Sequence, residues 1–254
     1  MKKLVIAFAA CALAGLASAQ VYSANIVGYE TLGTKGTDMT LLGVNFQKVG
    51  GGDISVQDAF KGTFVGGEDS ATADQLMVWS VAGGYKYYYF GDWNDGEDYN
   101  QKWYWDEDSS APTEDTIPVG AGVWLVRRGG ADDVVSAGEV AMTASKVFTL
   151  KATDMTLLAG AYPVDVALNG GTLTVENPVG GEDSATADQL MVWSVAGGYK
   201  YYYFGDWNDG EDYNQKWYWD EDSSAPTEDA IPTGAAVWYV NRSAQKTLTI
   251  TSPL

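Results

Sequence analysis

The loop Asp92-Trp93-Asn94-Asp95-Gly96-Glu97-Asp98-Tyr99-Asn100 sets four carboxylates, two side-chain amides and two aromatic rings in nine residues, and it occurs again unchanged from Asp206 to Asn214. Dense carboxylate and amide oxygens around a glycine turn suit a hard cation such as calcium. The candidate ligands are Asp92, Asn94, Asp95 and Asp98, with Asp206, Asn208, Asp209 and Asp212 in the second copy. The EF-hand template is not met, because Gly96 is fifth in the run instead of sixth and Trp103 stands twelfth, where a bidentate Glu belongs. A calcium site here would need another geometry. The competing reading is a solvated turn whose charges discourage strand-edge aggregation.

The aromatic side chains suggest a second chemistry. Trp and Tyr rings stack on the C–H faces of sugars while neighbouring Asp, Asn and Gln bond the hydroxyls. Trp93 and Tyr88 are the candidate stacking residues, with Trp207 and Tyr202 in the second copy. For Trp93 the alternative is a rim residue that covers the core. The run from Tyr85 to Phe90 is aromatic on both faces of a strand, Tyr85, Tyr87 and Tyr89 on one and Lys86, Tyr88 and Phe90 on the other, which leaves one face over for solvent. Trp103 with Trp105, and Met77 with Trp79 and Val81, each share one strand face and read as core.

Several chemistries are excluded by what is missing. Lys2, Lys3, the apolar run Leu4 to Leu16 and Ala17-Ser18-Ala19 form a secretory signal peptide over residues 1–19, so the mature chain begins at Gln20. The one cysteine, Cys11, falls inside that leader, and there is no histidine. Disulfides, thiol catalysis, Cys/His zinc sites and a Ser-His-Asp relay are all removed. An enzyme would have to run on carboxylates, as glycosidases do, yet no acid sits in an apolar context that would raise its pKa.

The net charge is −19, and loss of Lys2 and Lys3 takes it to −21. That field disfavours nucleic acid and anionic lipid and favours cations, neutral sugars or basic partners. After residue 19 no apolar run is long enough to span a bilayer, so the protein is not expected to be integral to the membrane. The expected location is periplasmic, cell-surface or extracellular, and the partners these features suit are a polysaccharide or another envelope protein.

The elements that must position these residues are duplicated. Val65 to Asp115 returns without a change as Val179 to Asp229, at an offset of 114 residues, and all ten tryptophans fall into pairs at that offset. Each copy holds twelve acids and two lysines, hence nearly all the net charge. The period is far too long for a solenoid repeat, so each copy is the body of a domain. Upstream, KGTDMTLL at 35–42 returns as KATDMTLL at 151–158, an offset of 116. Between these blocks the copies differ: Ser55 to Phe60 suits one helical turn capped by Ser55 or Asp53, whereas Thr172 to Val175 alternates like a strand.

Short strands separated by turn residues account for the rest: Gln75–Val81, a turn at Ala82-Gly83-Gly84, Tyr85–Phe90, Gln101–Asp106, Val123–Val126 and a closing strand at Asp133–Val140. The expected fold is all-β: two tandem similar β-sandwich or small β-barrel modules, residues 20–140 and 141–254, with short helical turns at most.

SANIVGY after the leader, the TLLG strand, the VWS..GGYKYYYF hairpin and the closing IPVGAGVWLVRR together resemble an uncharacterised family of exported bacterial tandem β-modules. Its openings are of the SAN-x-VGY kind and its closings of the P-x-G-x-G-aromatic-x-V kind. The resemblance covers both modules and implies export and a β-fold; it brings no active-site residue. The expected function is a non-catalytic exported β-repeat protein with a surface or extracellular structural or interaction role. The alternatives are a bivalent carbohydrate-binding protein using exposed Trp and Tyr, in which two sites raise avidity, and, as a contrast, a carboxylate-based glycosidase.

Overall fold

The computed structural model describes residues 26–252. The segment expected to be a leader, 1–19 with Cys11, lies outside the described residues. The chain is all-β. The first repeat contributes β1 (Val27–Leu32), β2 (Met39–Gly43), β3 (Ile54–Ser55), β4 (Gln75–Ser80), β5 (Gly84–Gly91), β6 (Lys102–Trp105), β7 (Thr116–Ile117), β8 (Gly122–Val126) and β9 (Val134–Glu139). The second contributes β10 (Ser145–Leu150), β11 (Met155–Ala159), β12 (Val166–Ala167), β13 (Leu173–Val175), β14 (Gln189–Ser194), β15 (Gly198–Gly205), β16 (Lys216–Trp219), β17 (Ala230–Ile231), β18 (Ala236–Val240) and β19 (Lys246–Thr251). Every sheet draws its strands from one repeat. Among the described residues no helix is long and apolar enough to cross a membrane.

Each repeat is built on a five-stranded antiparallel sheet, ordered β2-β8-β4-β5-β6 in the first and β11-β18-β14-β15-β16 in the second. Alternation along these β-branched and aromatic strands gives the sheet two apolar faces. The inner face sets Leu42, Leu76, Tyr88, Trp103, Val123 and Leu125 against Leu32 of β1, Val134 of β9 and the segment carrying Val44, Ile54, Val56 and Phe60. The β4–β5 hairpin pairs Ser80 with Gly84, whose φ of +71° accounts for the glycine there. The connecting regions differ as their sequences suggest. Ala59 N–H donates to Ser55 O at 3.0 Å in a single turn closed by Ser55 Oγ on Asp58, while the second copy forms β13, which pairs with β19.

The outer faces of the two five-stranded sheets meet. Leu41, Leu157, Ala159, Trp193 and Ala236 are buried between the repeats, with Trp79, Tyr85, Trp124, Tyr199 and Trp238 packed around them. The contacts come in reciprocal pairs. Gly43 N–H donates to Gly234 O and Ala159 N–H to Gly120 O, both at 2.8 Å; Lys35 lies over Trp193 and Lys151 over Trp79. Residue i of one repeat meets j of the other, and j meets i, which is the signature of an isologous interface. The tandem duplication is thus packed as an internal pseudo-dimer. Close approach depends on small residues, since a Cβ at Gly43 would lie 2.6 Å from Ala235 O.

Inside each repeat an aspartate from the identical segment is fully buried, and its cation comes from a different place in each copy. Asp74 accepts from the Val65 and Arg128 amides and faces buried Arg127, whose Nε lies 3.5 Å away. Asp188 accepts from the Val179 and Arg242 amides, from the Tyr239 hydroxyl at 2.7 Å and from Lys246 Nζ at 2.6 Å. The position equivalent to Arg127 is Asn241, and Lys246 stands where the first copy has Asp132. A buried carboxylate needs a paired, hydrogen-bonded environment, and the two diverged flanks have met that need with different residues.

Candidate functional site

The acidic loop is held at the end of the β5–β6 hairpin, at one edge of the outer sheet face. Two glycines let it close. A Cβ at Gly91 would meet the Tyr104 ring at 2.6 Å and Trp93 at 2.9 Å, and one at Gly66 would lie 2.3 Å from Asp92 Cβ. Asp92 N–H donates to Gly67 O and Gln101 N–H to Gly91 O, fixing both ends of the loop.

Within the loop the side chains are committed to one another. Asp92 Oδ1 accepts from the Asn94 amide at 2.9 Å, with Asn94 at φ +59°. Trp93 N–H donates to Asn100 Oδ1 at 2.7 Å, and Asn100 Nδ2 donates to Asp95 Oδ1 at 2.6 Å. The Tyr99 hydroxyl donates to Asp95 Oδ2. Hydrogen bonds from Tyr99 first, then Asn100, hold the Asp95 carboxyl below its ordinary range, and the same bond pushes the Tyr99 hydroxyl up to about 12. The second copy repeats this with Asp206, Trp207, Asn208, Asp209, Tyr213 and Asn214.

Of the proposed calcium ligands, Asp92, Asn94 and Asp98 line one shallow depression together with Glu97, whereas Asp95 is turned into the loop by Tyr99 and Asn100. Among the described residues no three or more His, Cys, Asp or Glu are grouped as a metal would need. Asp98 and Asp212 stand exposed.

Trp93 is a half-buried rim residue. It meets Tyr104 edge-on at 5.0 Å and Tyr99 at 5.7 Å, over the stacked pair Tyr89–Tyr104, and Trp207 does the same over Tyr218 and Tyr213. The assignment of Tyr88 and Tyr202 as surface stacking residues is corrected: they are 3% and 2% exposed and belong to the inner face. The Tyr88 hydroxyl donates to Asp115 at 2.9 Å and Tyr202 to Asp229 at 2.8 Å. Burial, then the hydrogen bond to the neighbouring carboxylate, raises both phenols. Burial raises Asp115 as well, but bonds from Lys86, Tyr88 and Thr113 outweigh it and leave its carboxyl low.

On the other face Tyr85 packs between the repeats and Tyr89 is buried against Tyr104, so that Tyr87 at 44% and Tyr201 at 43% exposure are what that face shows to solvent, with Tyr99 and Tyr213 beside the Trp rings. The alternation of the run marked Tyr87 as a partner of Tyr85 and Tyr89. Burial of the Tyr88 face depended on the long-range packing of β1 and β9.

These features define an all-β protein with an acidic, aromatic-edged loop presented once per repeat. No protein-family model matches the chain, and no curated protein or solved structure matches it either.

Proposed function

We propose that the chain is a non-catalytic exported β-repeat protein with an interaction role at the cell surface or outside the cell, its two identical loops being the contact elements. The observation that supports this most directly is the commitment of the loop's groups to internal bonds. Both Asp95 oxygens accept from loop donors, and a carboxyl held low is a poor general acid near neutral pH. Facing solvent beside it are Asn94, Glu97, Asp98 and the Tyr99 ring, a polar and aromatic surface suited to recognition.

A second reading, a bivalent carbohydrate-binding protein, is favoured by the half-exposed Tyr87 and Tyr99 rings and their copies Tyr201 and Tyr213. One experiment addresses both. Residues 20–254 are incubated with a panel of insoluble polysaccharides, and retention and release of reducing ends are measured together. Release of reducing ends would overturn the non-catalytic reading. Retention abolished by Tyr99→Ala with Tyr213→Ala, at unchanged melting temperature, would establish the carbohydrate reading; no retention on any polymer would remove it and leave a protein partner as the contact.

A further inference from the structure

Two clefts lie between the repeats at positions related by the pseudo-twofold, and they are unequal. One encloses about 750 Å³ and has Trp79, Val119, Phe148 and Leu157 in its walls. Its mate, bounded by Leu41, Trp193 and Thr233, encloses about 240 Å³.

The difference lies at one pair of positions. At the offset of 116 that joins the KGTDMTLL and KATDMTLL blocks, Leu32 corresponds to Phe148 and Glu30 to Lys146, as the registers Leu32–Val134 and Phe148–Leu248 also have it. At the offset of 114 Thr233 corresponds to Val119, so Glu30 with Thr233 in the small cleft becomes Lys146 with Val119 in the large one. In the small cleft, Thr233 Oγ1 donates to Glu30 Oε2 at 2.8 Å, and Leu32 closes over Gly234. In the large one that hydrogen bond has no counterpart. Phe148 lies against Gly120, where a Cβ would stand 2.6 Å from its ring, and an apolar wall remains open.

The charge at this opening runs against the charge of the chain. Lys86, Asp115 and Lys146 all line the large cleft, two cations against one anion in a protein of net charge −19. Lys86 Nζ is engaged by Asp115 at 2.6 Å and lies 4.0 Å over Trp105. Lys146 Nζ sits 6.0 Å over the Phe148 ring and makes no ion pair among the described residues. A concave site of several hundred Å³, mostly apolar with a few convergent polar groups, is the common form of a small-ligand pocket. A free ammonium at an aromatic wall selects a negative head.

We propose that this cleft binds a small amphipathic monoanion, a chain or ring system carrying one carboxylate or sulfonate, with Lys146 taking the head and Trp79 and Phe148 the apolar body. The test uses residues 20–254 and two fluorescent probes of one shape, 8-anilinonaphthalene-1-sulfonate and uncharged N-phenyl-1-naphthylamine, with decanoate as the competing carboxylate. The anionic probe should bind saturably and be displaced by decanoate. Lys146→Gln should weaken it about tenfold while leaving the neutral probe unchanged, the loss of one charge-assisted contact. Ala82→Trp, an exposed turn residue on the cleft wall, should weaken both probes without entering either core. No saturable binding, an equal response of both probes to Lys146→Gln, or indifference to Ala82→Trp would each overturn the proposal.

Discussion

Trp79 of the first repeat meets Trp238 of the second edge to face, at 5.9 Å between ring centroids and 79° between planes, and the reciprocal pair Trp124–Trp193 stands at 6.1 Å and 79°. Trp238 is the copy of Trp124 and Trp193 the copy of Trp79, so one tryptophan pairing is used twice across the pseudo-twofold. Trp79, expected in the core, is partly buried, and the cluster it packs against lies between the repeats instead of within one.

This pairing should appear as coupling. Trp79→Ala and Trp238→Ala are each expected to destabilise by about 2–4 kcal/mol through lost burial and the cavity left behind. The double variant should cost less than the sum by about 0.5–1.5 kcal/mol, the interaction of the rings beyond their area. Trp79→Ala with Trp217→Ala, whose rings lie in separate clusters, should be additive. Urea unfolding of the full chain checks this, and additivity in the first cycle would remove the ring pair as a coupling element.

The two buried aspartates predict unequal responses to loss of their cations. Lys246→Met leaves Asp188 without the ammonium at 2.6 Å and should cost about 3–5 kcal/mol, the usual penalty for an uncompensated buried charge. Arg127→Met should cost less, because Arg127 Nε stands 3.5 Å from Asp74 and both Nε and Nη1 lack a hydrogen-bond partner. Adding Asp188→Asn to Lys246→Met should recover part of the loss. Denaturation midpoints in the reverse order would show that packing, not charge pairing, sets the value of these residues.

Much of this architecture can be read from the chain because strand periodicity is local. The β4–β5 hairpin, the single turn at Ser55–Ala59 and the strand Leu173–Val175 follow from alternation and turn residues, although Ser55 Oγ bonds the Asp58 carboxylate and does not cap a backbone amide. What could not be read is that both aromatic faces would be covered, the outer one by the other repeat at Tyr85 and by the loop at Tyr89. Tyr87 and Tyr88 are adjacent residues of one type in one strand, and only the arrival of Leu32 and Val134 from distant parts of the chain buries Tyr88. The Asp74–Arg127 and Asp188–Lys246 pairs were hidden for a related reason. Their carboxylates lie in an identical segment, and their cations sit at positions that do not correspond.

The acidic loops should not respond specifically to calcium. Asp95 and Asp209 already accept from a tyrosine and an asparagine each, and a cation would have to displace those donors. Millimolar calcium should therefore move the melting temperature of residues 20–254 no further than magnesium at the same ionic strength. A shift larger by several degrees, abolished by Asp92→Asn with Asp206→Asn, would reveal a site that assembles around the ion by linkage.

Glu30 gives the interface a pH dependence whose sign is fixed by its surroundings. Burial raises its carboxyl above the ordinary value of 4.5, and hydrogen bonds from Thr233 and Asn45 only partly offset that. With the folded pKa above the unfolded one, the folded chain binds the extra proton between those two values, and stability falls as pH rises through that window. The deficit is present in full once the pH exceeds the raised pKa. Glu30→Gln keeps an acceptor for Thr233 Oγ1 without the buried charge, so it should unfold at higher denaturant than the parent at pH 7. Its advantage should shrink as pH is lowered through the raised pKa of Glu30. The comparison is read as the difference in midpoint between the two proteins at each pH, which cancels the titration of the many other acids. A difference independent of pH would mean that Glu30 titrates as an ordinary surface carboxylate and that its bond to Thr233 does not depend on the charge.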